Sequence, residues 1–248
     1  MLDRNFIETL ELADTPPSLL SLGQPLTARL GKDNEPSAAV NGGVLTSFVA
    51  GLSAEDQSDV LNSCLLAQLA ASKKFNKENQ AVEWYAFYAS VLYQVGWTVQ
   101  DYAFEKYNAS GDTFTVDKAV IKLLESIAEG GEVAIAQASL DALKSLSEGD
   151  RPLQIWNSST HSANAGNFQI APCAKSGNVV VMKNSSFYFK TSESTHGFLW
   201  FTYSSSSMEL YQAKQTMSLN IDVYKQVRQQ VIDKLGNRAK EFIADLEI

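Results

Sequence analysis

The feature that most constrains this chain is a change of hydrophobic period near residue 150. Upstream, apolar side chains recur every three or four residues, as on one face of a helix; after Gly149 they alternate every second residue, as along a strand. Before the switch, Leu61, Leu65 and Leu69 form a helical stripe beside Cys64. Trp84, Tyr85, Phe87, Tyr88, Val91, Leu92 and Val95 form a wider stripe that Gly96 ends. After it, with Pro152 at the boundary, Leu153 and Ile155, Phe168 and Ile170, Val179 and Val181, Phe187 and Phe189, then Phe198 and Trp200 alternate on successive short strands. Polar turns rich in Ser, Thr and Gly separate them, the pattern of an antiparallel meander. Helices gathered in one part of the chain and strands in another predict an α+β fold.

The expected order is a single domain of 248 residues: an irregular N-terminal arm over 1–52, a mainly helical part over 53–149, a β-meander of about five strands over 150–220, and a long amphipathic helix over 221–248 packed on the sheet. Pro16, Pro17 and Gly31 break any helix in the arm. Its apolar stretch 38–52, rich in small residues, reads as a buried turn and helix start, or as a segment that enters a membrane after rearrangement. Ser53 and Asp56 read as a capping box opening the first main helix. One earlier strand is expected over 97–107, followed by two shorter helices that Gly130 and Gly131 separate. In the last helix Tyr224, Val227, Val231, Leu235, Phe242 and Leu246 form the apolar stripe.

Composition narrows function. A net charge of −8 without a basic cluster argues against nucleic acid, because phosphate binding needs Lys and Arg gathered on one face. The acidic N-terminus is unlike a classical export signal, so the expected place of synthesis is the cytoplasm, with non-classical secretion left open. Cys64 and Cys173 are far apart in sequence and show no CxxC spacing. No histidine or carboxylate pair has metal-ligand spacing, and no glycine-rich phosphate loop is followed by lysine, so no metal and no cofactor is expected.

Three residues are the catalytic candidates. Cys173, in the stretch GNFQIAPC over 166–173, would need a lowered pKa and a base, and His161 and His196, both in Ser/Thr-rich segments, are the available bases. By alternation Cys173 takes the phase opposite Phe168 and Ile170, facing away from the side they bury. Packing, a reactive or acylated thiol, and a redox role all remain open for it. Ser159, Thr160 and His161 lack the nucleophile-elbow pattern.

The stretches 82–97 (VEWYAFY through VGW), 104–118 (FEKYNASGDTFTVDK) and 166–173 together resemble uncharacterised bacterial proteins of virulence or toxin gene clusters and, more remotely, the Erwinia virulence factor family. The resemblance spans about residues 53–220 and implies an accessory or effector role, with a toxin component or host protein as partner; it carries no catalytic residue over. Ser/Thr-rich strands serve an ordinary solvated face or one that meets a membrane. The expectation is therefore a non-enzymatic virulence or toxin-accessory protein acting by protein or membrane contact; the alternative is cysteine-dependent acyl transfer or lipid modification at Cys173.

Overall fold

The computed structural model describes residues 4–22, 33–100, 102–108, 111–162, 164–193, 199–200, 202–204 and 206–248. Two short helices, α1 (Arg4–Thr9) and α2 (Pro17–Leu20), precede a hairpin of β1 (Ser37–Asn41) and β2 (Val44–Phe48). Gly42 and Gly43 close it, and Gly42 has φ +57°, the left-handed backbone that a two-residue hairpin turn requires. Next comes α3 (Ala54–Lys74), opened by the expected cap: the Asp56 amide donates to the Ser53 hydroxyl at 3.1 Å and the Ser53 amide to the Asp56 carboxylate at 3.3 Å. Beside it returns α4 (Ala81–Gln94), which Gly96 ends at φ +104°. The chain continues through β3 (Trp97–Thr98), β4 (Glu105–Lys106), β5 (Thr113–Thr115), α5 (Val116–Leu124), α6 (Gly130–Ser145) and α7 (Arg151–Thr160). Three long strands, β6 (Ala165–Ser176), β7 (Val179–Thr191) and β9 (Met208–Asn220), follow, with the short β8 (Thr202–Ser204) before the last. The end is α8 (Ile221–Tyr224), α9 (Arg228–Leu235), α10 (Arg238–Phe242) and β10 (Ile243–Leu246).

The main sheet runs β10-β1-β2-β6-β7-β9-β3, with β4 also on β9; β5 and β8 make a separate pair. It is mixed, because β2 and β6 run parallel whereas the other neighbours are antiparallel.

The α+β character holds, and four details differ from expectation. The arm over 1–52 holds the hairpin β1–β2, which lies inside the sheet, buried along its length. A strand covered on both faces reads as a continuous apolar run rather than an alternation, which is why 38–52 resembled a helix start. Residues 151–160 are helical although Leu153 and Ile155 alternate, and Pro152 sits in the first turn of that helix, where proline favours helix. The meander of about five short strands is instead three long ones; Trp200 lies in a turn, and Phe198 falls outside the described residues. The final segment is three short helices and an edge strand rather than one helix: Gly236, at φ +55°, breaks it, and α9 packs on α3 and α1. Its stripe is nonetheless buried at Tyr224, Val227, Val231, Leu235, Phe242 and Leu246. The strand over 97–107 survives as two-residue pieces, β3 and β4.

Helices cover both faces of the sheet. On one, α6 packs on β2 and β6, α7 on β1, β6 and β10, and α5 on β7. On the other lie α3 and α4, with α9 and α1 outside α3. Because α3 is enclosed by the sheet, α4 and α9, it is buried almost all round, as an interior helix must be.

Candidate functional site

The face of the sheet under α3 and α4 carries an unusual load of buried amides and hydroxyls. Strand register puts Asn167, Gln169 and Cys173 of β6, Asn184 and Ser186 of β7, Gln215 of β9, Thr46 of β2 and Asn41 of β1 on this one side. Asn184 Nδ2 donates to Gln169 Oε1 at 2.6 Å and to the Tyr102 hydroxyl at 3.2 Å, and the Ser186 hydroxyl reaches the same Gln169 oxygen at 3.4 Å. Nearby, Gln68 of α3 bridges the hairpin turn: its Nε2 donates to the Asn41 carbonyl at 3.0 Å and its Oε1 accepts from the Gly43 amide at 2.9 Å. The Tyr85 hydroxyl of α4 sits between the carbonyls of Phe168 and Phe187, at 3.1 and 2.9 Å. Burial raises the Tyr85 phenol well above its ordinary range, so it serves as a donor.

The network is incomplete. Asn41 Oδ1, Thr46 Oγ1, Asn167 Nδ2, Asn184 Oδ1 and Gln215 Oε1 are buried with no hydrogen-bond partner among the described residues. A buried polar group left without any partner costs about 1–3 kcal/mol. The opposite face is different in kind. Phe168 and Phe187 stack there with ring centroids 4.9 Å apart, Trp156 of α7 meets Phe168 edge-on at 5.9 Å, and Leu45, Val40, Ile170 and Phe189 complete a buried apolar surface.

Two ion-pair groups hold α3 in place. Arg228 of α9 grips Asp59 through Nε at 2.8 Å and Nη2 at 2.5 Å and reaches Glu55 through Nη1 at 2.6 Å. Burial pushes the Asp59 carboxyl up to about 6, while the Arg228 guanidinium pulls the other way. On the sheet side, Lys175 of β6 meets Asp56 at 2.5 Å. Burial alone would raise Asp56, but the hydrogen bonds from Lys175 and Ser53 outweigh it and hold the carboxyl below its ordinary value.

The sequence-derived candidates are not gathered into one site. Cys173 is fully buried, and its thiol is raised well above the ordinary range by burial, the opposite of what a reactive thiolate requires. It does face away from Phe168 and Ile170, yet that side is enclosed as well, by α3 and α4. Cys64 lies in the core of α3, its thiol pushed up to about 12 by burial. His161 ends α7, with Nδ1 2.9 Å from the Thr160 hydroxyl, and bridges to Gly166 at the start of β6. Cys173 is seven residues beyond Gly166 on that strand, about 23 Å at the usual rise, so His161 is no base for it. His196 lies outside the described residues. Among the described residues no group of three or more His, Cys, Asp or Glu could hold a metal ion.

The sequence reading missed the amide face. Its one trace was the stretch NFQI over 167–170, where amides take the positions between apolar residues. It also missed Lys77, which lies in the connection between α3 and α4 and donates to the Ser159 carbonyl at the end of α7.

No protein-family model matches this sequence, and neither does any curated protein. Among solved structures it is similar to a delta-endotoxin at 10% identity, over 82% of this chain and 91% of that one, with a TM-score of 0.42. The Evf virulence factor aligns at 12% identity over 97% of this chain and 89% of its own, with a TM-score of 0.39. The activated Cyt2Ba monomer from Bacillus thuringiensis subsp. israelensis aligns at 10% identity over 50% of this chain and 73% of its own, with a TM-score of 0.29.

Proposed function

We propose that this is a non-enzymatic protein of toxin or virulence type that acts by membrane contact, and that its working element is the three-stranded ribbon β6–β7–β9. The observation that carries the reading is the two-sided character of that ribbon over 165–171, 184–191 and 208–215. One side presents Asn167, Gln169, Asn184, Ser186 and Gln215 beside Ala171, Tyr188 and Ala213, the other Phe168, Ile170, Phe187, Phe189 and Leu210, with Ser185, Gln212 and Lys214 also on it. Uncharged hydrogen-bonding groups facing water with apolar groups facing lipid is the pattern of strands at a membrane. The strands are 12, 13 and 13 residues long, more than the roughly 9–11 that cross a hydrocarbon core. By contrast, no helix among the described residues is long and apolar enough to cross a membrane. In the folded molecule α3 and α4 cover the amide side, and the Arg228 clasp on Asp59 keeps α3 in place.

The test is release of a trapped dye from phospholipid vesicles, with tryptophan emission reporting contact. The native chain is expected to associate with vesicles and release dye. The replacement Arg228→Ala, which removes the clasp on Asp59 and loosens α3, is expected to release it faster. Absence of both association and release, for both chains and across anionic and neutral lipids, rejects membrane contact. Saturable binding to host-cell or toxin proteins in its place would move the reading to protein contact.

A further inference from the structure

A cavity of about 200 Å³ lies between the α3–α4 layer, the C-terminal end of α7 and the beginning of β6. Its walls are mainly apolar, with Leu65, Leu69 and Trp84 contributing from the helices. Three polar groups from three separate elements reach it with donors to spare. Lys77 Nζ carries three N–H groups and donates one to the Ser159 carbonyl. Asn167, only 3% exposed, lines the cavity with an Nδ2 that has no partner. The Ser159 hydroxyl is likewise buried and unpartnered. The acceptors Gln68 Oε1 and Ser159 O on the same wall are already engaged, by the Gly43 amide and by Lys77. Asp14, the carboxylate at the rim, is 89% exposed and turns toward Arg238 at 3.8 Å.

We infer that this cavity is a binding site for a small monocarboxylate with an apolar body, its carboxylate received by Lys77, Asn167 and Ser159 and its body by the Leu65, Leu69 and Trp84 wall. A surplus of donors around one half-buried cation calls for an acceptor-only group, and an ionised carboxylate offers two oxygens and about four lone pairs. The volume corresponds to the liquid share of about six or seven waters, which suits a ligand on the order of ten non-hydrogen atoms. Burial lowers the Lys77 ammonium to about 8, and an anion seated against it would raise it again, favouring the charged pair. The hairpin turn also belongs to this site. A side chain at Gly43 would put its Cβ 3.2 Å from the Ser159 carbonyl and crowd the group that positions Lys77.

Calorimetric titration of the full chain with benzoate and hexanoate, against benzamide, hexanamide and inorganic phosphate, tests the assignment. Both carboxylates are expected to bind saturably, and the neutral amides and phosphate at least about tenfold more weakly, a difference of about 1.4 kcal/mol. Lys77→Met is expected to lose the carboxylate preference, and Asn167→Asp to abolish binding by bringing in a like charge. Equal affinity for acid and amide by the native chain overturns the inference without any variant. So does the absence of saturable carboxylate binding, and so does unchanged binding by a folded Lys77→Met. These outcomes are independent of vesicle release, so this site and the membrane reading stand or fall separately.

Discussion

The two sides of the main sheet are built on opposite principles. Under α6 and α7 the sheet meets its helices through Phe168, Phe187, Ile170, Leu45 and Val40, with orphaned polar atoms at Ser47, Ser185 and, toward the β9 side, Gln212. Under α3 and α4 buried apolar residues such as Val44, Phe48 and Met182 are interspersed with Asn41, Thr46, Asn167, Gln169, Asn184 and Gln215, five of which keep a polar atom without a partner among the described residues. The first interface gains free energy from apolar area removed from water. The second offsets part of that gain by desolvating amides, and adds ion pairs at its margin. The two covers of the sheet therefore differ in what holds them.

The largest expected contrast comes from truncating the firm side. Phe187→Ala removes a fully buried ring stacked on Phe168 and should cost about 3–5 kcal/mol in denaturant unfolding, close to the whole stability of many domains. A loss under about 1 kcal/mol would show that this face is not the anchor. Next in size is Arg228→Ala, which leaves Asp59, 2% exposed, without its guanidinium. Breaking a buried pair one-sidedly costs about 3–5 kcal/mol, and water reaching the clasp past the exposed Glu55 brings the expectation to about 2–3 kcal/mol. Replacing both partners, Asp59→Asn with Arg228→Met, should restore most of it. Hydrogen exchange separates the two layers: the arginine variant should speed exchange in α3 and α4 more than in α6 and α7.

Which parts of this were legible in the sequence follows from what burial does to pattern. The cap at Ser53, the aromatic face of α4, the stop at Gly96 and the buried terminal stripe were readable because each rests on neighbours three or four residues away. The β1–β2 hairpin was not, since a strand covered on both sides loses the alternation that marks strands, and only the turn Asn41-Gly42-Gly43 betrayed it. Pro152 was read as a boundary between periods when it marks a helix start, and Leu153 with Ile155 is too short an alternation to decide. The amide face was invisible for a different reason. Asn184 and Gln169 lie 15 residues apart and become partners only through the β6–β7 register, which no local pattern encodes. Cys173 stood out as a lone thiol, but its reactivity depends on surroundings that β2, α3 and α4 supply.

The sign of an effect is the sharper discriminator between the faces, and Thr46→Val turns on it. Thr46 Oγ1 is buried in the interior strand β2 with no partner, so removing the hydroxyl while keeping the branched shape should stabilise the protein by about 1–2 kcal/mol. Truncation on the apolar face can only destabilise. A clear loss of stability in the valine variant, measured in the same denaturant series, would mean that the hydroxyl is satisfied and that the amide face is not under tension.

The smallest expected effect is acid loosening of α3 through Asp56. Its folded pKa lies below the unfolded value of about 3.9, because the hydrogen bonds from Lys175 and Ser53 outweigh the upward push of burial. Between those two values the unfolded chain binds more protons than the folded one, so stability rises with pH across that window and its contribution is complete above about pH 4. It is lost as pH falls through the folded value. With Lys175 partly open to solvent, the pair should be worth about 0.5–1 kcal/mol. The stability gap between the native chain and Asp56→Asn should therefore stay level from about pH 7 to pH 5 and close below about pH 4. Because the hydrogen bonds of Asp56 join α3 to β6, the same acidification should speed hydrogen exchange in α3 while leaving α6 and α7 protected. Equal loosening of both layers would show that the sheet and its two covers give way as one unit.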